Sequence, residues 1–329
     1  MCNTFVMLDE INETSRVRLA LKAAQLYYLQ DLTMDAIGDE LNVSRSSVSR
    51  LLQLAKDRGI VEFKINSPED ATRRMATQIK QLYGVNAHLV PVAESASPID
   101  RLDRVALTAA RMLGNFFFSG MTMGVAWGST TAAVSRNLVP KPLRDSRVVQ
   151  LNGAGNTLTT GVTYSGEILR RFGEAYGATV EQFPVPAFFD DPAAKETLWR
   201  ERSTKRILNI QSSMDVVLFG LGSSNSEVPS QVYTAGYLSK KDQKGLDESG
   251  IVGDIATVFY RADGSSNDIA LNQRSTGPSL DVIRGVPRRI CVIAGTARVP
   301  SLKGALAGKY ISDLIIDDTT AEALLEGAQ

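Results

Sequence analysis

Between Leu32 and Asn66 the apolar positions follow two different periods. Ala36, Ile37 and Leu41 recur at helical spacing behind Thr33, a suitable N-cap, and Asp35, which complements a positive first turn. Asn42 can adopt a left-handed conformation that closes this helix, and Ser44 can cap the next. In that second helix Val48, Leu51, Leu52 and Ala55 face one way, leaving Ser46, Ser49, Arg50 and Gln53 on another side at offsets of three, four and seven. The period then changes to two, and Arg58-Gly59-Ile60-Val61-Glu62-Phe63-Lys64-Ile65 predicts a strand. Upstream, Val17 to Leu29 predicts a further helix that buries Ala20, Ala23, Ala24 and Tyr27. Two helices across a tight turn, preceded by a helix and followed by a strand, form the pattern of a winged helix-turn-helix.

An exposed polar stripe is ordinarily a solvated helix face. This one is short-chained and rich in Ser and Arg, so it offers hydrogen bonds to base edges and phosphates without carboxylate repulsion. The candidate DNA-binding residues are Thr33, Ser44, Arg45, Ser46, Ser47, Ser49, Arg50, Gln53 and Lys56, and the expected partner is double-stranded operator DNA. The formal net charge of the chain is zero, so affinity for a polyanion must come from a local patch. That patch sets Arg45, Arg50, Lys56, Arg58 and Lys64 against Asp57 and Glu62. So modest a surplus predicts weak binding by a lone headpiece, and therefore a homo-oligomer, dimer or tetramer, presenting several of them.

After a polar break at Asn66 to Asp70 the composition shifts. Asp70 to Leu82 predicts a linker helix with Met75, Ile79 and Leu82 on one side. Short apolar runs then alternate with helical patterns. Predicted strands are Ala87 to Val92, Thr122 to Ala126, Val148 to Leu151, Asp215 to Phe219, Ile290 to Ala294 and Leu314 to Ile316. Predicted helices are Arg101 to Leu113, Thr130 to Leu138, Gly166 to Phe172, Ser301 to Ala307 and Thr320 to Leu325. This alternation predicts a Rossmann-like α/β domain with a mostly parallel sheet covered on both faces. The domain boundaries read as 1–66 for the winged helix-turn-helix, 67–83 for the linker helix and 84–329 for the α/β domain.

Three Gly-rich turns end predicted strands: Met123 to Thr131 through Gly128, Gln150 to Thr157 through Gly153 and Gly155, and Phe219 to Ser224 through Gly220 and Gly222. In an open α/β sheet such turns converge at the strands' carboxyl ends, where ligands bind. At the first, free amides and the hydroxyls of Ser129, Thr130 and Thr131 could surround a phosphate. None has the G-x-x-x-x-G-K-[ST] or G-x-G-x-x-G arrangement of a nucleotide fingerprint. Glycines after strands more often serve only the turn. Cys2 and Cys291 lack ligand spacing, so neither a disulfide framework nor a zinc site is expected, and the pair fits a reducing cytoplasm. No run of about 18 apolar residues occurs, and no membrane association is expected.

The order of parts resembles the SorC/DeoR-type bacterial transcriptional regulators. The match is carried by the headpiece TMDAIGDELNVSRSSVSRLLQLAKDRGIVEFKI, by GVAWGST, VVQLNGAGN and GDIATVFYRADG, and by AGTARVPSLKGALAGKYISDLIIDDTTAEALL from Ala294. The resemblance implies an effector domain similar to sugar-phosphate isomerases and a phosphorylated sugar or polyol as effector. It places the effector at Gly128, Ser129, Thr130 and Thr131 and beside Asp254, whose bland alternative is a turn residue after Gly253. The effector set is completed by Asn152, Gly153, Gly155, Asn156, Gly222, Ser223 and Arg298. Where many relatives carry a lysine, this chain has Arg298, which would offer phosphate a charged fork. Where some carry a lysine able to form a Schiff base, it has Asn152, which argues against covalent capture.

The alternative is a sugar-phosphate isomerase-like enzyme with an attached DNA-binding headpiece. Such chemistry needs a positioned base or a Schiff-base lysine. The sole histidine, His88, lies in an apolar strand run as a packed residue, and no lysine occupies the Gly-rich turns, although Lys303 lies near the last motif. No catalytic residue, metal ligand or cofactor is therefore expected. A purely architectural DNA-binding protein would have little use for a large domain with convergent glycine turns.

Overall fold

The computed structural model describes residues 13–61, 68–224, 226, 228 and 230–326. The chain divides into two compact units, Met1–Ser67 and Pro68–Gln329.

In the first unit three helices, α1 (Glu13–Tyr28), α2 (Met34–Leu41) and α3 (Arg45–Asp57), enclose a small core. Ala20, Ala23, Ala24 and Leu26 of α1 meet Ile37, Val43, Val48, Leu51, Leu52 and Ala55. Small residues along α1 let the helices approach closely. Thr33 caps α2 by accepting from the Ala36 amide at 3.3 Å, and Ser44 caps α3 by accepting from the Ser47 amide at 3.2 Å. Asn42 ends α2 with a φ of 53°, the left-handed conformation its short polar side chain tolerates. Of the predicted strand, Glu62 to Ile65 lies outside the described residues.

The second unit begins with α4 (Pro68–Tyr83), β1 (Asn86–Val90), α5 (Pro98–Leu113), β2 (Thr122–Val125), α6 (Ser129–Arg136), β3 (Arg147–Gln150), α7 (Val162–Tyr176) and β4 (Thr179–Glu181). It continues through α8 (Pro192–Trp199), α9 (Arg202–Ser212), β5 (Val216–Phe219), α10 (Gln231–Thr234) and α11 (Lys240–Glu248). A hairpin of β6 (Ile251–Ile255) and β7 (Val258–Arg261) precedes α12 (Ala270–Arg274) and α13 (Leu280–Gly285). Last come β8 (Arg288–Ile293), α14 (Val299–Ala307), β9 (Asp313–Asp317) and α15 (Asp318–Glu326).

Seven strands form one parallel sheet in the order β1-β9-β8-β5-β2-β3-β4. Alternate side chains enter two separate cores. Val125, Val148, Leu218 and Val292 pack with α5, α6 and α7, whereas Val149, Val217, Cys291 and Ile316 pack with α4, α14 and α15. From β2 the chain winds outward through β3 and β4, then crosses back to β5 and proceeds the other way to β8 and β9. The order therefore reverses between β2 and β5, where an open α/β sheet leaves a crevice at its carboxyl edge.

Two expectations need correction. The helix expected as a linker packs into the second unit, against β1 and α15. Its buried stripe runs through Met75, Ile79 and Tyr83, while Leu82 is 50% exposed, because a step of four keeps the turn before β1 against the core. The pattern also missed β4, which has only three residues, and the hairpin of β6 and β7, whose turn is Ala256-Thr257 without glycine or asparagine.

Candidate functional site

The reversal point holds a pocket. Its walls come from the end of β2 and the start of α6 (Trp127, Gly128, Ser129, Thr130, Thr131), from Asn152 after β3, from Gly220 to Gly222 after β5, from Asp254, Ala256 and Thr257 of the hairpin and from Arg298. Ser230, Gln231 and Val232 close it. Gly128, Ser129, Thr130, Thr131, Asn152, Gly222, Asp254 and Arg298 are thus brought together from five separate parts of the sequence.

Donors and acceptors are segregated by element. Gly128 precedes α6 without a side-chain cap, so the first amides of that helix have no side-chain partner at their positive end. Two oxygens are acceptors in search of donors: Asn152 Oδ1 and Asp254 Oδ1 are both buried and make no hydrogen bond. The other Asp254 oxygen accepts from the Thr257 amide at 3.1 Å. Burial pushes the Asp254 carboxyl up to about 6, against the opposing pull of the Thr257 amide, the Tyr233 hydroxyl and Arg298. Gly222 is what permits this placement: a Cβ there would lie 1.7 Å from Asp254 Oδ1, and the two residues exchange backbone hydrogen bonds of 2.9 and 3.3 Å. The hairpin turn beneath is held in an unusual conformation, with φ of 48° at Ala256 and 69° at Thr257.

Arg298 departs from its expected role. Its guanidinium is buried and donates to the Leu221 carbonyl at 3.0 Å and the Val228 carbonyl at 2.8 Å, so the fork expected to face phosphate is committed to backbone oxygens. A charge removed from water must find acceptors, and these are the nearest ones. Burial lowers its pKa.

Four other expected residues stand apart from the pocket. Gly153 is a packing glycine: its amide donates to Thr276 Oγ1 at 3.0 Å and its carbonyl accepts from Trp127 Nε1 at 2.8 Å. A Cβ there would lie 2.2 and 2.3 Å from the Val185 and Pro186 carbonyl oxygens. Gly153→Ala is therefore expected to destabilise the second unit by about 2 to 3 kcal/mol, read as a lower denaturation midpoint, because neither neighbour is a movable side-chain end. Gly155 and Asn156 line a neighbouring cleft, and Ser223 is buried outside the pocket. Sequence reasoning also missed Ser230, Gln231, Val232 and Thr257, which belong to no Gly-rich turn. Trp127 could have been found: it sits inside the first turn, and its ring stacks on Tyr237 at 5.0 Å between centroids.

His88 is half-buried on β1, with Nε2 3.9 Å from Asp313 Oδ1, remote from this pocket. Cys291 is fully buried in β8, where desolvation raises its thiol pKa. Neither histidine nor lysine lines the pocket. Among the described residues no cluster suits a metal ion, and no helix is long and apolar enough to cross a membrane.

In the first unit, Arg45, Ser46, Ser49, Arg50, Gln53 and Lys56 lie exposed along α3. Ser47 does not join them: it is 4% exposed, its hydroxyl 2.9 Å from Ser44 Oγ, because it lies on the inner side of the first turn. Thr33 and Ser44 use their oxygens as caps. The basic patch is partly neutralised from within, since Arg58 pairs with Glu13, Arg45 lies 3.9 Å from Asp35, and Gln53 donates to Asp57 at 2.8 Å. Among the described residues Arg50 donates to Ser47 Oγ, at 3.5 Å.

Comparison with known proteins adds an independent line. The Sugar-bind family, described as "Putative sugar-binding domain", matches residues 68–326. The deoxyribonucleoside regulator of Bacillus subtilis is 33% identical over 95% of this chain and 99% of its own length. The sorbitol operon regulator of Klebsiella pneumoniae is 26% identical over 94% of this chain and 98% of its own. Its full-length crystal structure, SorC, superposes with a TM-score of 0.70 at 25% identity, covering 94% of this chain and 99% of that one. A domain of a "possible sugar-binding transcriptional regulator" from Arthrobacter aurescens is 50% identical with a TM-score of 0.74, covering 79% of this chain and all of that one.

Proposed function

Because this chain belongs to the SorC/DeoR-type family of sugar-responsive transcriptional regulators, and is not an enzyme, we propose that a phosphorylated sugar or polyol bound in the pocket between β2 and β5 controls its affinity for operator DNA. One observation carries the choice of effector. A single pocket offers uncapped helix amides, which suit the oxygens of an anion, together with two unpartnered oxygens, Asn152 Oδ1 and Asp254 Oδ1, which suit hydroxyl donors. A sugar phosphate carries both kinds of group. Asn152 has no amine to condense with a carbonyl, so binding is reversible and borohydride traps no adduct.

The DNA-binding part is residues 1–66, read as a winged helix-turn-helix with α3 as reader. Ser46, Ser49, Arg50 and Gln53 face the major groove, and a homo-oligomer, dimer or tetramer, sets headpieces about one helical turn of DNA apart. Arg50→Ala is expected to cost about 1 to 3 kcal/mol of operator affinity without loss of fold. Unchanged affinity in a folded variant would remove α3 from the role of reader. Saturating effector should alter DNA affinity, and DNA should alter effector affinity by the same factor. A thermal-shift screen of phosphorylated sugars and polyols, each beside its unphosphorylated form, tests the effector class. Equal stabilisation by both members of a pair would exclude phosphate recognition.

A further inference from the structure

We propose that the segment Ser230 to Ser239 is a strap that shuts the pocket, and that Asn156 is its latch. The inference rests on the reading of this pocket as the effector site. In the structure the pocket has about 40 Å³ of free space, whereas one water needs roughly 10–15 Å³ by the same measure. A few waters fit; a sugar phosphate does not. Its interior residues are correspondingly sealed: Asn152 is 1% exposed, and Thr130 and Asp254 each 4%.

The strap separates this space from a much larger one. Ser230, Gln231 and Val232 face the pocket, while Gly236 to Ser239 line a cleft of about 1260 Å³ on the other side. Lifting the strap joins the two, which gives the effector both a route and a volume. Val232 and Leu238 of the strap are buried in the core, the Tyr233 ring meets Phe259, and Thr157 Oγ1 and Gln243 Nε2 donate to the Gly236 and Tyr233 carbonyls at 3.4 and 3.2 Å; three further contacts tie it to the site. Asn156 Nδ2 donates to the Ala235 carbonyl at 2.9 Å, the Tyr237 hydroxyl donates to the Ala154 carbonyl at 3.0 Å, and the Tyr237 ring stacks on Trp127. Both backbone anchors come from the Gly-rich turn after β3. The end of that turn therefore acts through the strap, while Asn152 at its start faces the pocket itself. Asn156 is suited to this work because its Oδ1 simultaneously accepts from the Leu158 and Thr159 amides at 2.9 and 2.8 Å, which fixes the side chain in place.

The test needs no effector, so it fails or succeeds apart from the identity of the ligand. Thr130→Cys in a Cys2→Ser background places one thiol inside the pocket, Cys291 being buried with its thiol pKa raised. The rate of its reaction with a small cationic methanethiosulfonate is compared with that of the denatured chain. The closed strap should slow labelling by at least about 100-fold relative to the denatured chain, a local opening free energy near 3 kcal/mol. Asn156→Asp keeps the oxygen that organises the turn but sets a carboxylate oxygen against the Ala235 carbonyl, and should accelerate labelling about tenfold. Tyr237→Phe keeps the stack and removes one hydrogen bond, for about fivefold. A thiol reacting within about tenfold of the denatured rate, or an acceleration below about threefold in both strap variants, overturns the proposal.

Discussion

Thr130→Glu is expected to abolish the effector response and to leave operator binding in place. Thr130 is 4% exposed at the first turn of α6, where the helix presents its uncapped amides. A carboxylate at that point occupies the anion's position and repels a phosphate in surroundings where water screens little. DNA affinity persists because α3 belongs to a different compact unit. Thr130→Val separates charge from shape: it removes only the hydroxyl, so an anion held by backbone amides should lose no more than about tenfold in affinity. The measurement is operator affinity with and without the sugar phosphate, for each variant. A normal response in the glutamate variant refutes the placement of the phosphate at α6.

Asp254→Asn should raise stability and weaken the effector response together. Burial lifts the folded carboxyl from 3.8 to about 6. In that window the folded chain keeps a proton that the unfolded chain releases, so stability falls as pH rises from about 4 to 6 and is flat above. Two units correspond to at most about 3 kcal/mol. An asparagine does not titrate, so the variant should equal the parent near pH 4 and exceed it by up to about that amount at pH 7.5, in denaturation midpoints at the two values. The Thr257 amide needs an acceptor, which fixes the new side chain with Oδ1 toward it and the NH₂ toward the pocket. A hydroxyl donor then meets a donor, and the effector affinity should fall at least about tenfold. An unchanged response with an unchanged pH profile would show that the carboxylate is neither desolvated nor in contact with the ligand.

The parallel sheet was legible because its strands are short apolar runs bounded by glycine turns, and each long predicted helix carries a periodic stripe. The convergence of Gly128, Asn152 and Gly222 followed from a general property of such sheets and needed no alignment. Turn chemistry could not separate the glycine that opens onto a ligand from the one that packs on backbone: Gly128 and Gly153 look alike until Val185 and Pro186 are seen against the latter. Arg298 was expected at a phosphate from the resemblance, and the competing carbonyls of Leu221 and Val228 lie 77 and 70 residues away in sequence, where no local pattern shows them. Ser230 to Val232 carried no signal at all, since their role comes from where the strap crosses. Ser47 was misplaced by one step of helical phase, the smallest error a periodic reading can make.

The turn that carries Asp254 has a longer-term consequence. Ala256 and Thr257 occupy conformations that favour asparagine and glycine, and a β-branched residue at positive φ is held there by its surroundings, here the 3.0 Å contact between the hydroxyls of Thr257 and Ser275. Drift toward Asn-Gly at these two positions would relax the backbone while loosening the frame around the carboxylate. The pair Ala-Thr at this corner thus trades a strained turn for rigidity around the carboxylate.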